Sequence, residues 1–307
     1  MVNVGVAMDL SIIIVSWNTS GLLRQCLKSI YETSCRFSFE VIVVDNGSSD
    51  DSVNMVEECF PEVILLKNGK NLGFASANNQ GLATGQGRYF MLLNSDTIVL
   101  PGAVDALIEA ANRYPEVGVI GPKLLNLNGT LQKSWSSFPS FLSELVGRNF
   151  RIRRPVPDVP NMYDVDWIMG ACMLVRSETI WAIGKMDEDY FFYSEETDWC
   201  FRIKKGSWKV WYFAGAEIYH IGGGSTDRGS IAQLVRLYQG KLLYFQKNHG
   251  GPVATLLRLG LAVSNSLGIL RRLLFINWLE REASFQRIAN QSKLVWYLLI
   301  NQYPKTN

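Results

Sequence analysis

The sequence is poor in the residues that build zinc, disulfide and redox sites. It has only two histidines and five cysteines in 307 residues, and no two cysteines form a CxxC pair. A zinc site is therefore not expected, and the odd, scattered cysteines indicate reduced intracellular thiols that fill core space. These cysteines are Cys26, Cys35, Cys59, Cys172 and Cys200.

The chain also lacks a basic leader and a glycine-rich phosphate loop. The opening residues, MVNVGVAMDLSIIIV, have no basic n-region and run straight into a strand-like segment, so we expect no secretory signal, and Met8 is a candidate start. The absence of GxGxxG and P-loop patterns argues against dinucleotide-binding Rossmann proteins and kinase-type chemistry. We expect no nucleic-acid partner.

Acidic side chains are scarce in the last quarter of the chain. The whole chain has a formal net charge of +2, but the residues from Arg236 onward include ten basic side chains and only two acidic ones, a net charge of +8. Residues 1–235 carry 20 basic and 26 acidic side chains, a net charge of −6. This division predicts a catalytic body and a tail that meets an anionic surface.

The apolar residues predict an α/β fold. Continuous apolar runs at residues 11–17, 39–44, 63–66, 88–93 and 117–121 are typical of strands buried on both faces, and segments of helical periodicity separate them. We therefore predict a mostly parallel sheet flanked by helices over residues 1–228, and a helical extension over residues 229–307. Further strands are expected at residues 167–175 and 210–219, a helix at 195–205, and a mobile basic loop at 148–160.

Polar residues cluster where the predicted strands end. In an open parallel sheet, ligands bind beyond the carboxyl ends of the strands. Taken singly, each cluster is explained by the preference of such residues for turns, but three clusters together favour a binding site. They are Ser16, Trp17 and Asn18 after the first strand, Asp45 and Asn46 after the second, and Asn94, Ser95 and Asp96 after the fourth.

Two further patterns suggest a site for a nucleoside diphosphate. Gly73 allows close backbone approach at a helix start, where free N–H groups favour anions. Without a glycine-rich cradle, the diphosphate needs another source of positive charge, and a divalent cation held by few carboxylates is the usual one. Asp96 is the candidate ligand of that cation, and its alternative role is that of a helix N-cap. Residues 187–202 combine acids with aromatic rings, a setting that raises a carboxylate's pKa by desolvation and suits a general base.

Six of these motifs together resemble glycosyltransferase family 2, the inverting nucleotide-sugar transferases with a GT-A fold, and especially its bacterial rhamnosyltransferase-like branch. The motifs are IIVSWN at 13–18, VVDNGSSD at 43–50, NLGFASAN at 71–78, LLNSD at 92–96, GACMLVR at 170–176 and FFYSEETDWCFR at 191–202. His220 with Gly223 and Ser225 matches the family's closing segment. The resemblance covers residues 10–228 and implies a GT-A fold.

The resemblance also implies roles for individual residues. Asp45 is similar to the acid that reads the nucleotide base, and Ser16, Trp17 and Asn18 would hold the base or ribose. The remaining nucleotide-sugar contacts would come from Asn71, Gly73, Asn78, Asn94, Ser95 and Asp96. Acceptor-side roles are implied for Trp167, Gly170, Asp198 and Trp199, of which the tryptophans have a core role as an equal alternative.

A metal and a base follow from the same resemblance. Asp96 matches the second acid of the family's Asp-x-Asp, whose first position here is Asn94, so Mg²⁺ or Mn²⁺ would rest on Asp96 with His220. Glu196 aligns with the catalytic base, and Glu195 stays an alternative. The implied reaction is a single displacement at the anomeric carbon, in which the base takes a proton from an acceptor hydroxyl.

The tail is basic and strongly apolar between residues 252 and 279. Arginines interrupt the apolar stretch and leave too few residues for a spanning helix, so we predict insertion into an anionic membrane surface, with homodimerisation or packing on the body as alternatives. The corresponding location is cytoplasmic, at the inner face of the plasma membrane.

The leading hypothesis is a metal-dependent hexosyltransferase that moves L-rhamnose from dTDP-L-rhamnose to a saccharide acceptor, presented on a lipid, in cell-surface polysaccharide synthesis. A UDP-sugar donor, galactosyl or N-acetylglucosaminyl, is the alternative within the fold. A non-catalytic nucleotide-sugar-binding scaffold at the membrane is the alternative of another class, and it would need neither Asp96 nor Glu196.

Overall fold

The computed structural model describes residues 8–146, 162–222, 230–274 and 281–300. The strands are β1 (Leu10–Ser16), β2 (Phe39–Asp45), β3 (Ile64–Lys67), β4 (Tyr89–Asn94), β5 (Thr97–Val99), β6 (Val117–Leu125), β7 (Leu131–Gln132), β8 (Trp135–Ser136), β9 (Met162–Asp164), β10 (Trp167–Ile168), β11 (Cys172–Arg176) and β12 (Lys209–His220). The helices are α1 (Ser20–Glu32), α2 (Ser52–Cys59), α3 (Phe74–Thr84), α4 (Ala103–Arg113), α5 (Phe141–Val146), α6 (Ser177–Ile183), α7 (Glu195–Lys205), α8 (Ile231–His249), α9 (Gly251–Leu274) and α10 (Arg281–Ile300).

The N-terminal strands form a parallel sheet whose carboxyl ends meet at one edge. In the order β3-β2-β1-β4, Ser16 pairs in register with Asp45, and Val15 pairs with Asn94. The polar residues that end β1, β2 and β4 are therefore neighbours. This arrangement confirms the predicted α/β class with a mostly parallel sheet.

The second half of the sheet departs from simple alternation. Strand β11 lies antiparallel between β4 and β6, and β12 pairs in parallel with β6 and antiparallel with the short β5. The single strand predicted at 167–175 is two strands, β10 and β11, because residues 169–171 lie between them and only β11 joins the large sheet. Since β11 runs opposite to β4, its beginning lies at the edge where β4 ends.

Both faces of the sheet are covered, as continuous apolar strands require. Successive residues of β1 point to opposite faces, so Ile12 and Ile14 join the core cluster that includes Leu23 of α1, while Ile13 joins the cluster that includes Trp199 of α7. All five cysteines are free thiols. Of these, Cys26, Cys172 and Cys200 are buried as predicted, Cys35 is partly buried, and the prediction of a core position is wrong for the exposed Cys59.

The chain divides into two compact units. The first holds the large sheet. The described part of the second comprises residues 139–146, residues 189–194 and the C-terminal helices α8, α9 and α10. Ser230 caps α8 by accepting a hydrogen bond from the Gln233 amide at 3.1 Å, and the predicted helical extension begins there. The loop predicted at 148–160 lies outside the described residues.

Helix α9 has one packed face and one exposed face. Its buried residues Ala254, Leu257 and Leu261 pack within the second unit. We call the opposite face the α9 stripe; it consists of Leu256, Leu259, Val263, Leu267, Leu270 and Leu274, all exposed. The helix has 24 residues and a mean hydropathy of 1.6 in its most apolar window, so by length and composition it is able to cross a membrane, contrary to the expectation that arginines leave too short a segment.

Candidate active site

The candidate site lies at the sheet edge where β1, β2 and β4 end. A chain of hydroxyl groups joins the first and fourth strands there: Ser16 Oγ lies 2.9 Å from Thr19 Oγ1, which lies 3.0 Å from Ser95 Oγ. All three side chains are buried. Thr19 was not among the predicted site residues, although its place just after a polar strand end was the available signal.

The ends of β1 and β2 are joined by an exposed loop contact. The side-chain oxygen of Asn18 accepts a hydrogen bond from the Ser49 backbone amide at 2.7 Å. The backbone amide of Asn18 donates to Ser48 Oγ at 2.9 Å. Asn18 has a φ of 53°, a left-handed conformation that Asn adopts more readily than most residues. Asn18 therefore holds the loop after β2 against the end of β1, next to the half-buried Trp17.

Asp45 carries a buried oxygen that suits a ligand donor. Its Oδ2 accepts a hydrogen bond from the Ser48 amide at 3.0 Å. Its Oδ1 is buried and has no hydrogen-bond partner among the described residues. An unpaired buried acceptor is costly, so an N–H donor from a bound molecule would relieve that cost.

Asn46 holds the glycine-bearing loop in place. Its side-chain amide donates to Asn71 Oδ1 at 2.9 Å and to the Gly73 carbonyl at 3.2 Å, and its Oδ1 accepts from the Leu72 amide at 3.0 Å. Gly73 has a φ of 90° and a ψ of 168°, which a side chain would strain. Asn78, by contrast, is buried and donates to the carbonyl of Phe74 in its own helix.

Asp96 and His220 are brought together by β5 and β12, which pair antiparallel. The Asp96 Oδ1 to His220 Nε2 distance is 3.3 Å, and Asn94 Nδ2 lies 3.5 Å from the same ring nitrogen. Asp96 is not the N-cap of α4, because β5 intervenes and Gly102 occupies the N-cap position. Gly223 and Ser225 of the predicted closing motif lie outside the described residues.

Gln132 sets the tautomer of His220. Its side-chain amide donates to Asn126 Oδ1 at 3.2 Å and to the His220 carbonyl at 3.4 Å, so its Oε1 faces His220 Nδ1 at 2.6 Å. The acceptor Oε1 requires a proton on Nδ1, which leaves a lone pair on Nε2 of the neutral ring. That lone pair and a carboxylate oxygen 3.3 Å apart need a proton or a cation between them.

These two side chains fit a divalent cation that shares its coordination with a ligand. A carboxylate oxygen suits Mg²⁺ or Mn²⁺, a neutral imidazole nitrogen is a common metal ligand, and a carbonyl oxygen on the other ring nitrogen is the usual support for such a histidine. Within the described residues, no group of three or more His, Cys, Asp and Glu side chains is placed to hold a metal. Phosphate oxygens of a bound substrate would therefore have to complete the shell.

Glu195 and Glu196 begin α7 but differ in their surroundings. Glu195 is buried, and its Oε2 has no hydrogen-bond partner among the described residues. Burial, and secondarily the charge of Glu196, raise the pKa of Glu195 well above its ordinary value. Glu196 is half-buried. Of the two carboxyl groups, Glu196 is thus the one that solvent reaches more easily.

Gly170 brings the base candidate close to the other motifs. A Cβ atom placed on Gly170 would lie 3.4 Å from Phe74 Cε1 and 3.7 Å from Glu196 Cβ. The next residue, Ala171, accepts a hydrogen bond from the Asn94 amide at 3.0 Å. Gly170 therefore connects α3, α7 and the end of β4.

The other residues predicted on the acceptor side lie differently. Trp199 is fully buried and donates its indole N–H to the Gly184 carbonyl at 2.9 Å. Asp198 is buried and accepts from Arg202 Nε at 2.8 Å, an ion pair within α7. Both side chains are buried, so Trp199 has the core role that was its equal alternative, whereas Asp198 does not have the open position expected of an acceptor-side residue. Trp167 is half-buried and donates to the Ser137 carbonyl.

Comparison with known proteins supports the resemblance. The model of glycosyl transferase family 2 matches residues 11–184. The chain is 29% identical to the N-acetylglucosaminyl-diphospho-decaprenol L-rhamnosyltransferase of Mycobacterium tuberculosis (strain H37Rv) over 283 aligned residues, 84% of this chain and 92% of that protein. It is 27% identical over 207 residues to the low-salt glycan biosynthesis hexosyltransferase Agl10 of Haloferax volcanii, covering 64% of this chain and 62% of that one.

Solved structures show the same fold. The mannosyltransferase PcManGT of Pyrobaculum calidifontis, determined with GDP-Man and Mn²⁺, gives a TM-score of 0.57 at 16% identity and covers 95% of this chain and 88% of its own. S. aureus TarS 1–349 gives 0.53 at 15% identity, with 97% and 93% covered. The predicted GT-A fold is thus confirmed, and because the family model spans more than half of the sequence, the chain belongs to glycosyl transferase family 2.

Proposed function

We propose that this glycosyltransferase moves L-rhamnose from dTDP-L-rhamnose, with inversion, to a hydroxyl group of a lipid-linked saccharide. The observation that carries the reaction type is that the contacts of three motifs lie around one sheet edge. Asp45 pairs with Ser16, the Asn94 amide donates to the Ala171 carbonyl, and the adjacent Gly170 lies beside Glu196. Support for the donor and acceptor comes from the mycobacterial relative, whose name specifies L-rhamnose transfer to a decaprenol-linked acceptor.

We assign the nucleotide to the ends of β1 and β2. Asp45 Oδ1, buried and unpaired among the described residues, would accept the N–H of a thymine or uracil ring. Ser16, Trp17 and Asn18 would border the base or ribose, and Asn71 with Gly73 would form the wall of the nucleotide-sugar pocket. Asn78 would act indirectly, by keeping the first turns of α3 in place.

We assign the metal to Asp96 and His220, with Asn94 and Ser95 beside them. Mg²⁺ or Mn²⁺ held there would neutralise charge on the departing diphosphate. Gln132 would keep the proton of His220 on Nδ1 and so present the Nε2 lone pair to the cation.

We assign the general base to Glu196 and a structural role to Glu195. A base must reach the acceptor hydroxyl, and the half-buried Glu196 beside Gly170 meets that condition better than the buried Glu195. Burial raises the pKa of Glu195 and so favours its neutral form, and a neutral carboxyl group cannot take the proton.

The donor is tested by thermal unfolding with a panel of nucleotide sugars, each with and without Mn²⁺. We expect dTDP-rhamnose with Mn²⁺ to raise Tm the most; a ligand at 100 times its Kd stabilises by about 2.7 kcal/mol. Stabilisation by UDP-galactose or UDP-N-acetylglucosamine instead would replace rhamnose as the donor sugar. A response to every nucleotide sugar without turnover would favour a scaffold.

We propose that the α9 stripe lies on the cytoplasmic face of an anionic membrane, where a lipid-linked acceptor would be met. The stripe is apolar and exposed, whereas Ala254, Leu257 and Leu261 are packed, so among the described residues the stripe face of α9 is open to lipid. Arg271 and Arg272, both exposed near the end of the same helix, suit anionic headgroups. A helix packed on one side and apolar on the other fits an interfacial position better than a crossing one.

The substitution Leu267→Glu with Leu270→Glu is expected to weaken binding to phosphatidylglycerol vesicles at least tenfold. Burial of one leucine side chain contributes ~1.5–3 kcal/mol, and 1.4 kcal/mol corresponds to a factor of ten. Co-sedimentation of the full chain with these vesicles measures the loss of binding. Leu127→Glu is the matched control, because Leu127 is 61% exposed and Leu267 is 60% exposed. If vesicle binding is unchanged, and the wild type is a dimer that the double substitution dissociates, then the stripe contacts a second copy of the chain and not the membrane.

A further inference from the structure

Two strained residues precede Glu195 directly in the chain. Tyr193 has a φ of 76° and Ser194 a φ of 74°, the left-handed region that side chains other than glycine rarely adopt. Two such residues in succession persist only where their surroundings hold them, and such strain is concentrated at functional sites. The next residue begins α7 with Glu195 and Glu196.

One face of α8 holds this turn within the second unit. We call it the α8 clamp; it consists of Gln233, Arg236, Gly240 and Lys247, whose spacings of three, four and seven residues place them on one side of a helix. Each of the four faces a part of residues 189–194, so the clamp follows the turn along its length.

The polar members of the clamp bind successive parts of the turn. Lys247 Nζ lies 2.5 Å from Asp189 Oδ2, and the Arg236 guanidinium lies 5.0 Å from the centre of the Phe191 ring. The Gln233 side-chain amide donates to the Tyr193 hydroxyl at 2.9 Å.

Gly240 provides the closest approach. A Cβ atom on Gly240 would lie 2.1 Å from the Tyr193 carbonyl oxygen and 3.0 Å from its carbonyl carbon. The obstacle is backbone, which cannot rotate away as a side-chain tip can, so a substitution here has to move the strained residue itself. Glycine weakens a helix interior, and this close approach is a physical reason for its presence in α8.

We propose that the α8 clamp positions the carboxylate proposed as the base: it holds Tyr193 and Ser194 in their left-handed conformation, and these residues lead directly into α7, with Ser194 two residues before Glu196. The clamp residues are positioning residues, since they act through the turn. The inference rests on the proposed role of Glu196 as general base, and it gives the C-terminal extension a catalytic task besides any membrane contact.

The test is Gly240→Ala in the full chain, with Gly268→Ala as the matched control. Gly268 is also a helix glycine, but a Cβ there would meet its nearest atom at 3.4 Å. We expect Gly240→Ala to lower kcat about 10- to 100-fold, because a misplacement of about 1 Å can cost that much. The donor Kd should stay within about twofold, and hydrogen exchange should accelerate at the α7 amides from Asp198 onward, which are the first with an intrahelical acceptor.

A second pair of variants serves if Gly240→Ala does not fold. Gln233→Leu and Tyr193→Phe each remove one partner of the same hydrogen bond, so the double variant should lose no more kcat than the stronger single one. Additive losses, or no loss in either variant, would overturn the clamp.

The outcomes separate the clamp from the proposed function. Unchanged amide exchange in Gly240→Ala, relative to Gly268→Ala, overturns the positioning role whether or not the enzyme is active. Faster exchange with an unchanged kcat shows that the turn is held but that the base lies elsewhere, which overturns both the link to catalysis and the assignment of Glu196.

Discussion

Glu196→Gln is expected to lower kcat by about 10²–10⁴-fold, the range that a general base contributes. The amide keeps the size of the side chain but cannot take a proton from the acceptor hydroxyl. Because Glu196 is not assigned to the nucleotide, the donor Kd should be unchanged. Turnover with the donor identified by thermal unfolding, together with donor titration, measures the two effects separately.

Glu195→Gln is the matched control, one residue away. Burial raises the pKa of Glu195 and so favours its neutral form, and glutamine imitates a neutral carboxyl group, so kcat should change little. The variant should also be the more heat-stable protein at neutral pH. The stability of the buried neutral acid is fully present below the ordinary glutamate pKa of 4.5 and is lost as pH rises toward its raised folded value.

Measurements of Tm between pH 4 and 8 test this directly. The Tm difference between Glu195→Gln and the wild type should be small near pH 4 and grow as pH rises. If Glu195→Gln loses turnover and Glu196→Gln keeps it, the base assignment is reversed. A Tm difference that shrinks with rising pH would mean that Glu195 is ionised in the folded protein.

Asp96→Asn is expected to lower kcat/KM at least about 10²-fold and to abolish the Mn²⁺-dependent part of the donor's Tm shift. The substitution removes the only carboxylate of the proposed metal pair and leaves His220 with an amide. The charge on the leaving diphosphate would then lack its main counter-charge, and electrostatic stabilisation of that kind is commonly the largest contribution to catalysis. Tm against Mn²⁺ concentration, at fixed donor, measures the loss.

Asn94→Asp provides the opposite change at the same strand end. It adds a carboxylate two residues before Asp96, and Asn94 Nδ2 already lies 3.5 Å from His220 Nε2. We expect this variant to reach half-maximal Tm shift at a lower Mn²⁺ concentration. Full activity of Asp96→Asn in the presence of a chelator would show that the reaction needs no metal at this site.

Much of the sheet and of its polar edge was predictable from local patterns. Continuous apolar runs predicted β1, β2 and β4, because a strand buried on both faces needs apolar residues at every position. Parallel pairing then forces their polar ends to one edge, so the sequence pattern alone places Asp45 and Asp96 at the same edge of the sheet. The helix predicted at 195–205 has the bounds of α7.

Other parts of the site depend on contacts between residues far apart in the chain. Gln132 was not predicted, because nothing around it in the sequence indicates that it faces His220, 88 positions later. Trp199 and Asp198 belong to the same motif as the half-buried Glu196, yet helix geometry turns them into the core. The difference between Glu195 and Glu196 is likewise one of burial, which adjacent residues of one motif cannot reveal.

The sequence by itself determined the family and the sheet edge where polar residues gather, because strand periodicity and motif order are local properties. Only the tertiary structure decided which of two adjacent carboxyl groups is buried, how His220 is oriented, and that the turn at 189–194 packs against α8. Those properties depend on which surfaces exclude water and which atoms meet across long loops. The chain has only two histidines, which argued against a zinc site. The structure shows that one of them, His220, is held in orientation by Gln132.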